Sequence, residues 1–351
     1  MKIITIIGAR PQFIKAAAIS RELLKHKNIT EIIIHTGQHY DDNMSEIFFN
    51  QMKIPMPKYN LKIGGGTHGQ MTGRQIEKIE EILINENPNL VIVYGDTNST
   101  LAGALAAVKL NIKVAHIEAG LRSFNRNMPE EINRIITDHI STFLFAPTQI
   151  SVENLIKEGF NVSKIYKTGD IMLDACIYYK TYSKKPNLIS DSITDFNLCT
   201  IHRAENTDNI ENLTKIFKGL SYSNKVIILP IHPRTKKIIT ESKIEISKNI
   251  LLLDPVGYFE MLWLELNADK IITDSGGVQK EAYFFKKFCI TLRNETEWME
   301  LVHGGWNVLV GSNTNLIKEF INKESPNLPY INYYGTGNTS TDIVNKIICE
   351  F

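Results

Sequence analysis

Short aliphatic and β-branched runs alternate with helix-patterned segments along the whole chain, and this alternation limits the possible folds more than any other feature. The first half offers Ile3–Ile7, Ile32–His35, Leu90–Tyr94, Val114–Ile117, Phe143–Ala146 and Ile165–Thr168. The second offers Leu198–Ile201, Val226–Leu229, Ile250–Leu253, Lys270–Thr273, Phe288–Leu292 and Val308–Val310. Between them lie segments such as Met71–Ile84 and Ile210–Leu220, whose apolar residues recur every three or four positions. Strand, helix and strand in succession give parallel sheets covered by helices on both faces. Near Ser183–Asp195 the pattern lapses into Lys, Pro, Asn, Ser and Asp, a linker composition. The expected class is α/β with two domains of similar size, residues 1–183 and 184–338, and a ligand cleft between them. The tail 339–351 has helical periodicity and is expected to return to the first domain.

A chain of 351 residues, 43% of them hydrophobic, can bury a large core and more than one. The 39 basic and 38 acidic residues nearly cancel and form no long basic run. That balance argues against a nucleic-acid or anionic-membrane partner and makes any phosphate recognition local. Cys176, Cys199, Cys289 and Cys349 lie far apart without a CxxC pair, so buried thiols in a reducing compartment are expected rather than disulfides or zinc. The opening apolar run is broken by Gly8 and followed by Arg10, which marks a first core strand and not a signal peptide. No stretch approaches the roughly eighteen apolar residues of a transmembrane helix. A soluble cytoplasmic protein is expected.

In open α/β sheets ligands bind beyond the carboxyl ends of the strands, and the polar motifs of this chain fall at such places. Asp274-Ser275-Gly276-Gly277 follows Lys270–Thr273 directly, and Val278 onward begins a helix. The two glycines remove side-chain bulk, so the first helical N–H groups point unblocked at an occupant that is usually phosphate. A tight turn with Ser275 as N-cap fits the same residues. Gly8-Ala9-Arg10-Pro11-Gln12-Phe13-Ile14-Lys15 is a second strand–turn–helix junction. Pro11 suits a first helical turn, and Arg10 stands where a guanidinium grips phosphate or forms a surface ion pair. The junction is not GxGxxG, which disfavours a nicotinamide-dependent dehydrogenase. His202-Arg203-Ala204-Glu205 and His232-Pro233-Arg234 set basic turns on successive strand ends, suited to a diphosphate, with histidine able to protonate a leaving phosphate. No HExxH or clustered His/Cys spacing points to a metal.

Gly95-Asp96-Thr97 and Glu118-Ala119-Gly120 put Asp96 and Glu118 on consecutive strand ends, where their carboxylates could converge. Each also fits N-capping or loop solvation. Glu130 and Glu131 follow Pro129 and open an amphipathic segment, where acids complement the helix dipole. Acids brought together in a cleft repel, which raises at least one pKa and poises it for proton transfer. Glu281, one turn beyond Gly277, is within reach of a ribose diol or lies on a solvated helix face.

Gly8–Lys15, Gly95-Asp96-Thr97, His116–Arg122, Pro129–Arg134, His202-Arg203 and Asp274–Glu281 occur in the order seen in non-hydrolysing UDP-N-acetylglucosamine 2-epimerases. The chain resembles that family over essentially its whole length. The resemblance implies two Rossmann-like, doubly wound parallel-sheet domains in a GT-B arrangement, a homodimer, and a UDP-sugar substrate in the cleft with no cofactor. It implies that the phosphates meet Arg10, His202, Ser275, Gly276 and Gly277, that Glu281 takes the ribose, and that His232 and Arg293 belong to the same UDP site. It implies catalytic carboxylates at Asp96, Glu118 and Glu130, with Lys15, Arg134 and His202 as supporting cations. The implied reaction removes the C2 proton, expels UDP to leave a 2-acetamidoglucal, and re-adds UDP with protonation on the opposite face. The C2 proton is not next to a carbonyl, so it leaves only if a good leaving group departs from C1. Cations and helix N–H groups around the diphosphate supply that stabilisation, and handling both faces of C2 needs several proton-carrying groups.

The chain departs from the family pattern in places. Gly-Thr-Arg-Pro-Glu reads Gly8-Ala9-Arg10-Pro11-Gln12, Thr-Glu-Arg-Pro-Glu reads Thr296-Glu297-Trp298-Met299-Glu300, and Gln-Glu-Glu reads Gln279-Lys280-Glu281. With Gly65–Gln75 and Gly304-Gly305-Trp306-Asn307, these variants are similar to the branch acting on UDP-2,3-diacetamido-2,3-dideoxy-glucuronate for bacterial surface polysaccharide such as lipopolysaccharide O-antigen. Arg126, Lys280, Trp298 and Trp306 are candidates for reading the sugar's C6 carboxylate; the alternative is a solvated Lys280 and two core tryptophans. UDP-N-acetylglucosamine itself is the other expected substrate. Some family members bind a second nucleotide sugar as activator, at positions like Gln38, His39, Gln70 and Arg74. A GT-B glycosyltransferase would share the UDP site but need an acceptor groove; a hydrolysing epimerase would release free sugar. A non-catalytic sensor sits poorly with the presence of every catalytic acid.

Overall fold

The computed structural model describes residues 1–38, 49 and 52–351. The chain forms two compact units, Met1–Ala175 with Asn332–Phe351, and Cys176–Ile331. The units therefore divide at 175/176 and 331/332, against the expected 183/184 and 338/339. The chain passes from one to the other within the helix Ile171–Tyr179. Segment 183–195 carries no helix or strand, yet its Ile189 is buried in the second unit's core with Phe196 and Leu198. A polar composition concealed two apolar anchors there, Ile189 and the partly buried Ile193.

The first unit holds a seven-stranded sheet of β1 (Lys2–Ile7), β2 (Thr30–His35), β3 (Tyr59–Asn60), β4 (Leu90–Tyr94), β5 (Lys113–Ile117), β6 (Phe143–Ala146) and β7 (Ile165–Lys167). All pair in parallel, in the order β3-β2-β1-β4-β5-β6-β7. The second unit holds β8 (Phe196–Thr200), β9 (Val226–Pro230), β10 (Ile250–Leu253), β11 (Lys270–Thr273), β12 (Phe288–Thr291) and β13 (Asn307–Leu309). They too are parallel, in the order β10-β9-β8-β11-β12-β13. Numbered within each unit, both sheets begin 3-2-1-4-5-6, the doubly wound Rossmann order. Every apolar run read from the sequence is a strand, with ends shifted by a residue or two. The short polar strand β3 carried no such signal.

β4 is buried at every residue rather than at alternate ones, as a strand covered on both faces must be. The helix Asn98–Lys109 approaches the sheet closely through Ala102, Gly103 and Ala106. A Cβ on Gly103 would stand 2.7 Å from Ile6 and 3.2 Å from Val93, so any larger residue would force these side chains to move. The helix Thr339–Cys349 belongs to the first unit and packs on the helix Arg10–Leu23. Its start is tied down by the Asp174 carboxylate, which accepts the Thr339 N–H at 3.1 Å and the Ser340 N–H at 2.8 Å.

Cys176, Cys199 and Cys289 are buried thiols, whereas Cys349 is exposed at the end of its helix, unlike the expectation for all four. Among the described residues no helix is long and apolar enough to cross a membrane.

Candidate active site

A doubly wound sheet opens a crevice where adjacent strands send their connections to opposite faces. In the first unit that switch lies between β1 and β4. The turn after β1 starts the helix Arg10–Leu23, with Arg10 exposed at its first position. The Gln12 side chain, nearly wholly buried, organises this turn. Its carbonyl accepts the Gly8 and Ala9 N–H groups at 2.8 and 3.1 Å, while its amide donates to the Tyr94 carbonyl and Thr100 hydroxyl at 2.9 and 3.0 Å. A glutamate in its place could accept the first pair but not donate the second, which accounts for this departure from the family motif.

Lys15, one turn further along the helix, is buried and in direct contact with a carboxylate oxygen of Glu118. Glu118 sits just past β5 with φ +75°, a left-handed backbone that a glutamate rarely adopts. Such strain at a strand end is characteristic of functional sites. The glycine beside it, Gly95, has φ +62°, and a Cβ there would lie 3.2 Å from Glu118 Oε2 and 3.3 Å from Lys15 Nζ. Asp96 follows at the end of β4, one third exposed and in direct contact with the Arg134 guanidinium. The Asn133 side-chain amide also holds the Asp96 carbonyl at 2.9 Å.

Arg134, Asn133, Glu131 and Glu130 all come from the helix Pro129–Ile140. Glu131 is the buried acid of the adjacent pair. Its carboxylate accepts the Ser123 and Phe124 N–H groups, both at 2.9 Å, and pairs with Arg134 at 2.9 Å. Glu130 is half-buried in the same first turn and makes no ion pair among the described residues. The structure thus gathers Lys15, Asp96, Glu118 and Arg134 around Gly95, with Glu130 on the helix that supplies Arg134. Acids already in contact with fixed cations have their oxygens aimed before a substrate arrives.

In the second unit the switch lies between β8 and β11, and the turns after those strands carry His202 and Asp274–Gly277. Ser275 is the N-cap of the helix Gly276–Phe284, its hydroxyl accepting the Val278 N–H at 3.4 Å. Capping does not exclude ligand binding here. Gly277 is exposed, and a Cβ on it would meet nothing closer than the Ser275 hydroxyl at 3.9 Å. The helix N-terminus is therefore open to an anion.

Asp274 is the organising group of this edge. Wholly buried, it accepts the His202 N–H at 3.1 Å, the Arg203 N–H at 3.1 Å, the Asn206 side-chain amide at 3.0 Å, and lies 2.9 Å from His202 Nδ1. Burial pushes its pKa up, but the bond and charge of His202, then Asn206 and the Arg203 N–H, hold it below the usual carboxylate range. His202 itself is more than half exposed. His232, exposed on the next strand end, caps the helix Pro233–Glu241 by accepting the Arg234 N–H at 3.2 Å. Arg234 pairs in turn with Asp208 at 2.8 Å.

Glu281 is buried, with the Cys176 thiol 3.8 Å from its carboxylate, so it does not lie on a solvated face. Arg293 is buried and faces Glu297 through two contacts of 3.0 and 3.3 Å, behind the N-terminal turn of the helix Gly276–Phe284. Trp298 donates its indole N–H to the Gly276 carbonyl at 2.9 Å, and the Lys280 ammonium lies 4.2 Å from its ring centroid. Lys280 is thus buried rather than solvated, and Trp298 and Trp306 are buried as well. Arg126 is exposed.

Of the positions compared with an activator site, Gln38 accepts the Ser99 N–H and hydroxyl at 3.1 and 2.8 Å, and Arg74 donates to the Gly65 carbonyl at 3.1 Å. Gln70 lies in the capping turn of the helix His68–Glu86. His39 lies outside the described residues.

Sequence reasoning passed over Asp274, Gln12, His116 and Asp138 as groups that shape the site. For His116 a signal existed, since a histidine inside an otherwise apolar strand must find polar partners. For Asp138, in the last turn of a helix, no local signal existed.

A family model described as UDP-N-acetylglucosamine 2-epimerase matches residues 21–348. A UDP-N-acetylglucosamine 2-epimerase homolog of Methanococcus maripaludis is 56% identical over 357 residues, 99% of each chain. The UDP-2,3-diacetamido-2,3-dideoxy-D-glucuronate 2-epimerase of Pseudomonas aeruginosa is 52% identical over 324 residues, 91% of each chain. Among solved structures, the UDP-GlcNAc 2-epimerase of Methanocaldococcus jannaschii in complex with UDP-GlcNAc and UDP superposes with a TM-score of 0.90 at 48% identity, covering 99% of this chain and 100% of the other.

Proposed function

The chain belongs to the UDP-N-acetylglucosamine 2-epimerase family, and from that premise we propose that it inverts a UDP-2-acetamido sugar at C2 without hydrolysing it. The observation that carries this reading is the pairing of Glu118 with Lys15 and of Asp96 with Arg134 at one sheet edge. A carboxylate takes the C2 proton as the C1–O bond to UDP breaks. The C2–H electron pair becomes the C1–C2 double bond of a glycal, and UDP leaves with the C1–O pair. In the return step the double bond takes a proton on the opposite face while a UDP oxygen re-forms the bond to C1. No net oxidation occurs, so the balance calls for no nicotinamide.

Asp96, Glu118 and Glu130 exchange the protons in this reading. Arg10, His202, Ser275 and the N–H groups of Gly276 and Gly277 stabilise the departing diphosphate, with His232 beside them. Glu281 takes the ribose, and Arg293 with Glu297 supports the N-terminal turn from behind. We expect a homodimer in solution.

The finer proposal is UDP-2,3-diacetamido-2,3-dideoxy-glucuronate as substrate, giving its manno epimer for surface polysaccharide. It is supported by the likeness to the P. aeruginosa enzyme and by the departures at Lys280 and Trp298. The greater identity to the M. maripaludis relative favours UDP-N-acetylglucosamine as a second reading. Proton NMR in heavy water tests both levels. Each candidate is incubated with the purified protein, and deuterium is expected at C2 of product and recovered substrate, with EDTA having no effect. Product that retains its C2 hydrogen sinks the elimination mechanism, and a higher kcat/KM for UDP-N-acetylglucosamine overturns the finer choice alone.

A further inference from the structure

His116 is fully buried in β5, and its ring bridges two other elements. Nδ1 lies 2.6 Å from a carboxylate oxygen of Asp138, and Nε2 lies 2.8 Å from the carbonyl oxygen of Gly95 at the end of β4. A carbonyl oxygen only accepts. Asp138 is held as a carboxylate, since its other oxygen receives the Arg122 guanidinium at 2.7 Å and the Gly120 N–H at 3.1 Å. Both hydrogen bonds therefore require an N–H on the ring, one at each nitrogen.

We propose that His116, carrying a proton on each ring nitrogen, is a positioning residue that clamps the Gly95-Asp96 turn against the Lys15–Glu118 pair. The proposal rests on the epimerase reading for its catalytic consequence. The leverage comes from Gly95, whose missing Cβ would fall between Glu118 and Lys15 at little more than 3 Å from each. A shift of the Gly95 carbonyl moves Asp96 relative to Glu118 directly. Asp138 acts on the far side of Glu118 by holding Gly120, so one buried imidazole–carboxylate pair fixes both acid-bearing turns. The charged groups around the ring are Asp138 and, through it, Arg122, with Lys15 and Glu118 beyond Gly95. Arg122 is anchored in turn by Glu158 through contacts of 2.7 and 2.8 Å, so the clamp has a rigid base.

The ring nitrogens can be read directly in the intact chain labelled with nitrogen-15 histidine, by long-range proton–nitrogen correlation. The resonance missing from His116→Gln identifies the residue. Two protonated nitrogens on His116 are expected without any substrate present, and one bare nitrogen overturns the proposal. In kinetics, His116→Phe keeps a ring but loses both donors, whereas His116→Gln keeps one amide donor for Gly95. With a UDP-sugar that the unmodified protein turns over, kcat should fall about a hundredfold in the Phe variant, the effect of roughly 1 Å of misplacement. The Gln variant should retain more, and UDP affinity should hold in both. Unchanged kcat, or a loss of UDP affinity matching the loss of kcat, overturns positioning. If the unmodified protein turns over no UDP-acetamido sugar, the epimerase reading fails, and the spectrum still decides the state of the ring.

Discussion

His202 turns its Nδ1 onto the buried carboxylate of Asp274 at 2.9 Å, which leaves Nε2 as the ring atom available to a ligand. The same carboxylate receives the backbone N–H groups of His202 and Arg203. It therefore sets the loop path as well as the ring. Asp274→Asn would replace one acceptor oxygen with an NH2 facing donors. UDP affinity should fall at least about tenfold, because a misdirected donor loses a charge-assisted bond of roughly 1.5–3 kcal/mol. Calorimetric titration with UDP checks this; unchanged affinity in a folded variant would refute the role.

The acids and the diphosphate contacts should separate in kinetics. Asp96→Asn, Glu118→Gln and Glu130→Gln are expected to lower turnover by about two to four orders of magnitude with UDP affinity retained. Arg10→Ala and Ser275→Ala should weaken UDP binding instead. The Ser275 variant should also lose about 1 kcal/mol of stability with its cap. Parallel steady-state kinetics and UDP titrations distinguish the two patterns.

Lys280 and Trp298 occupy the positions of an acid and an arginine in the family motifs, and here they stack. The two departures read as one exchange, a cation–π contact where an ion pair would otherwise fit. Changing either alone, Lys280→Glu or Trp298→Arg, should destabilise the protein and weaken UDP binding. The double variant should recover part of both, with a coupling energy of about 1 kcal/mol or more in a double-mutant cycle. Strict additivity in urea unfolding would show the positions to be independent.

Acid stability should trace two buried aspartates. Burial raises Asp138, but His116 and Arg122 overcome it, and Asp274 is likewise held low. Each binds its proton less readily folded than unfolded. Each therefore contributes stability that is complete above the ordinary carboxylate range and is lost as pH falls through the lower folded value. Urea unfolding from pH 7 downward should show falling stability, with a shallower fall in Asp138→Asn.

Glu31 should behave oppositely. Burial, opposed by the Thr5 hydrogen bond and the neighbouring Ser20 hydroxyl, raises its pKa, and one of its oxygens is hidden from solvent without a partner. The folded chain holds this proton longer, so stability declines as pH rises from the unfolded value near 4.5 through the folded one. Glu31→Gln should stabilise the protein at neutral pH relative to its effect at pH 3. Thermal melts at the two pH values provide the comparison.

Strands and the ends that carry polar motifs were legible because a strand buried on both faces is a local run of apolar residues. Asp96, Glu118, His202 and Ser275 could therefore be assigned to the carboxyl ends of strands from the chain alone. What orients them was not legible. Asp138 reaches His116 across 22 positions and Asp274 reaches His202 across 72, and no local pattern records such pairings. The unit boundaries escaped for a related reason. Leu188 and Ile189 are adjacent and equally apolar, yet only Ile189 is buried, and its burial depends on a strand not yet reached in the sequence.

The first unit is built from two separated lengths of chain, while the second is continuous. During synthesis, every residue of the second unit is added before the helix Thr339–Cys349 exists to meet the helix Arg10–Leu23 and the Asp174 carboxylate. The continuous unit can finish folding as it emerges. The unit carrying Asp96 and Glu118 must wait, with one flank of its core uncovered, until that helix has emerged. A chain truncated before residue 339 and released from the ribosome should accordingly be protease-resistant in its second unit and sensitive in its first.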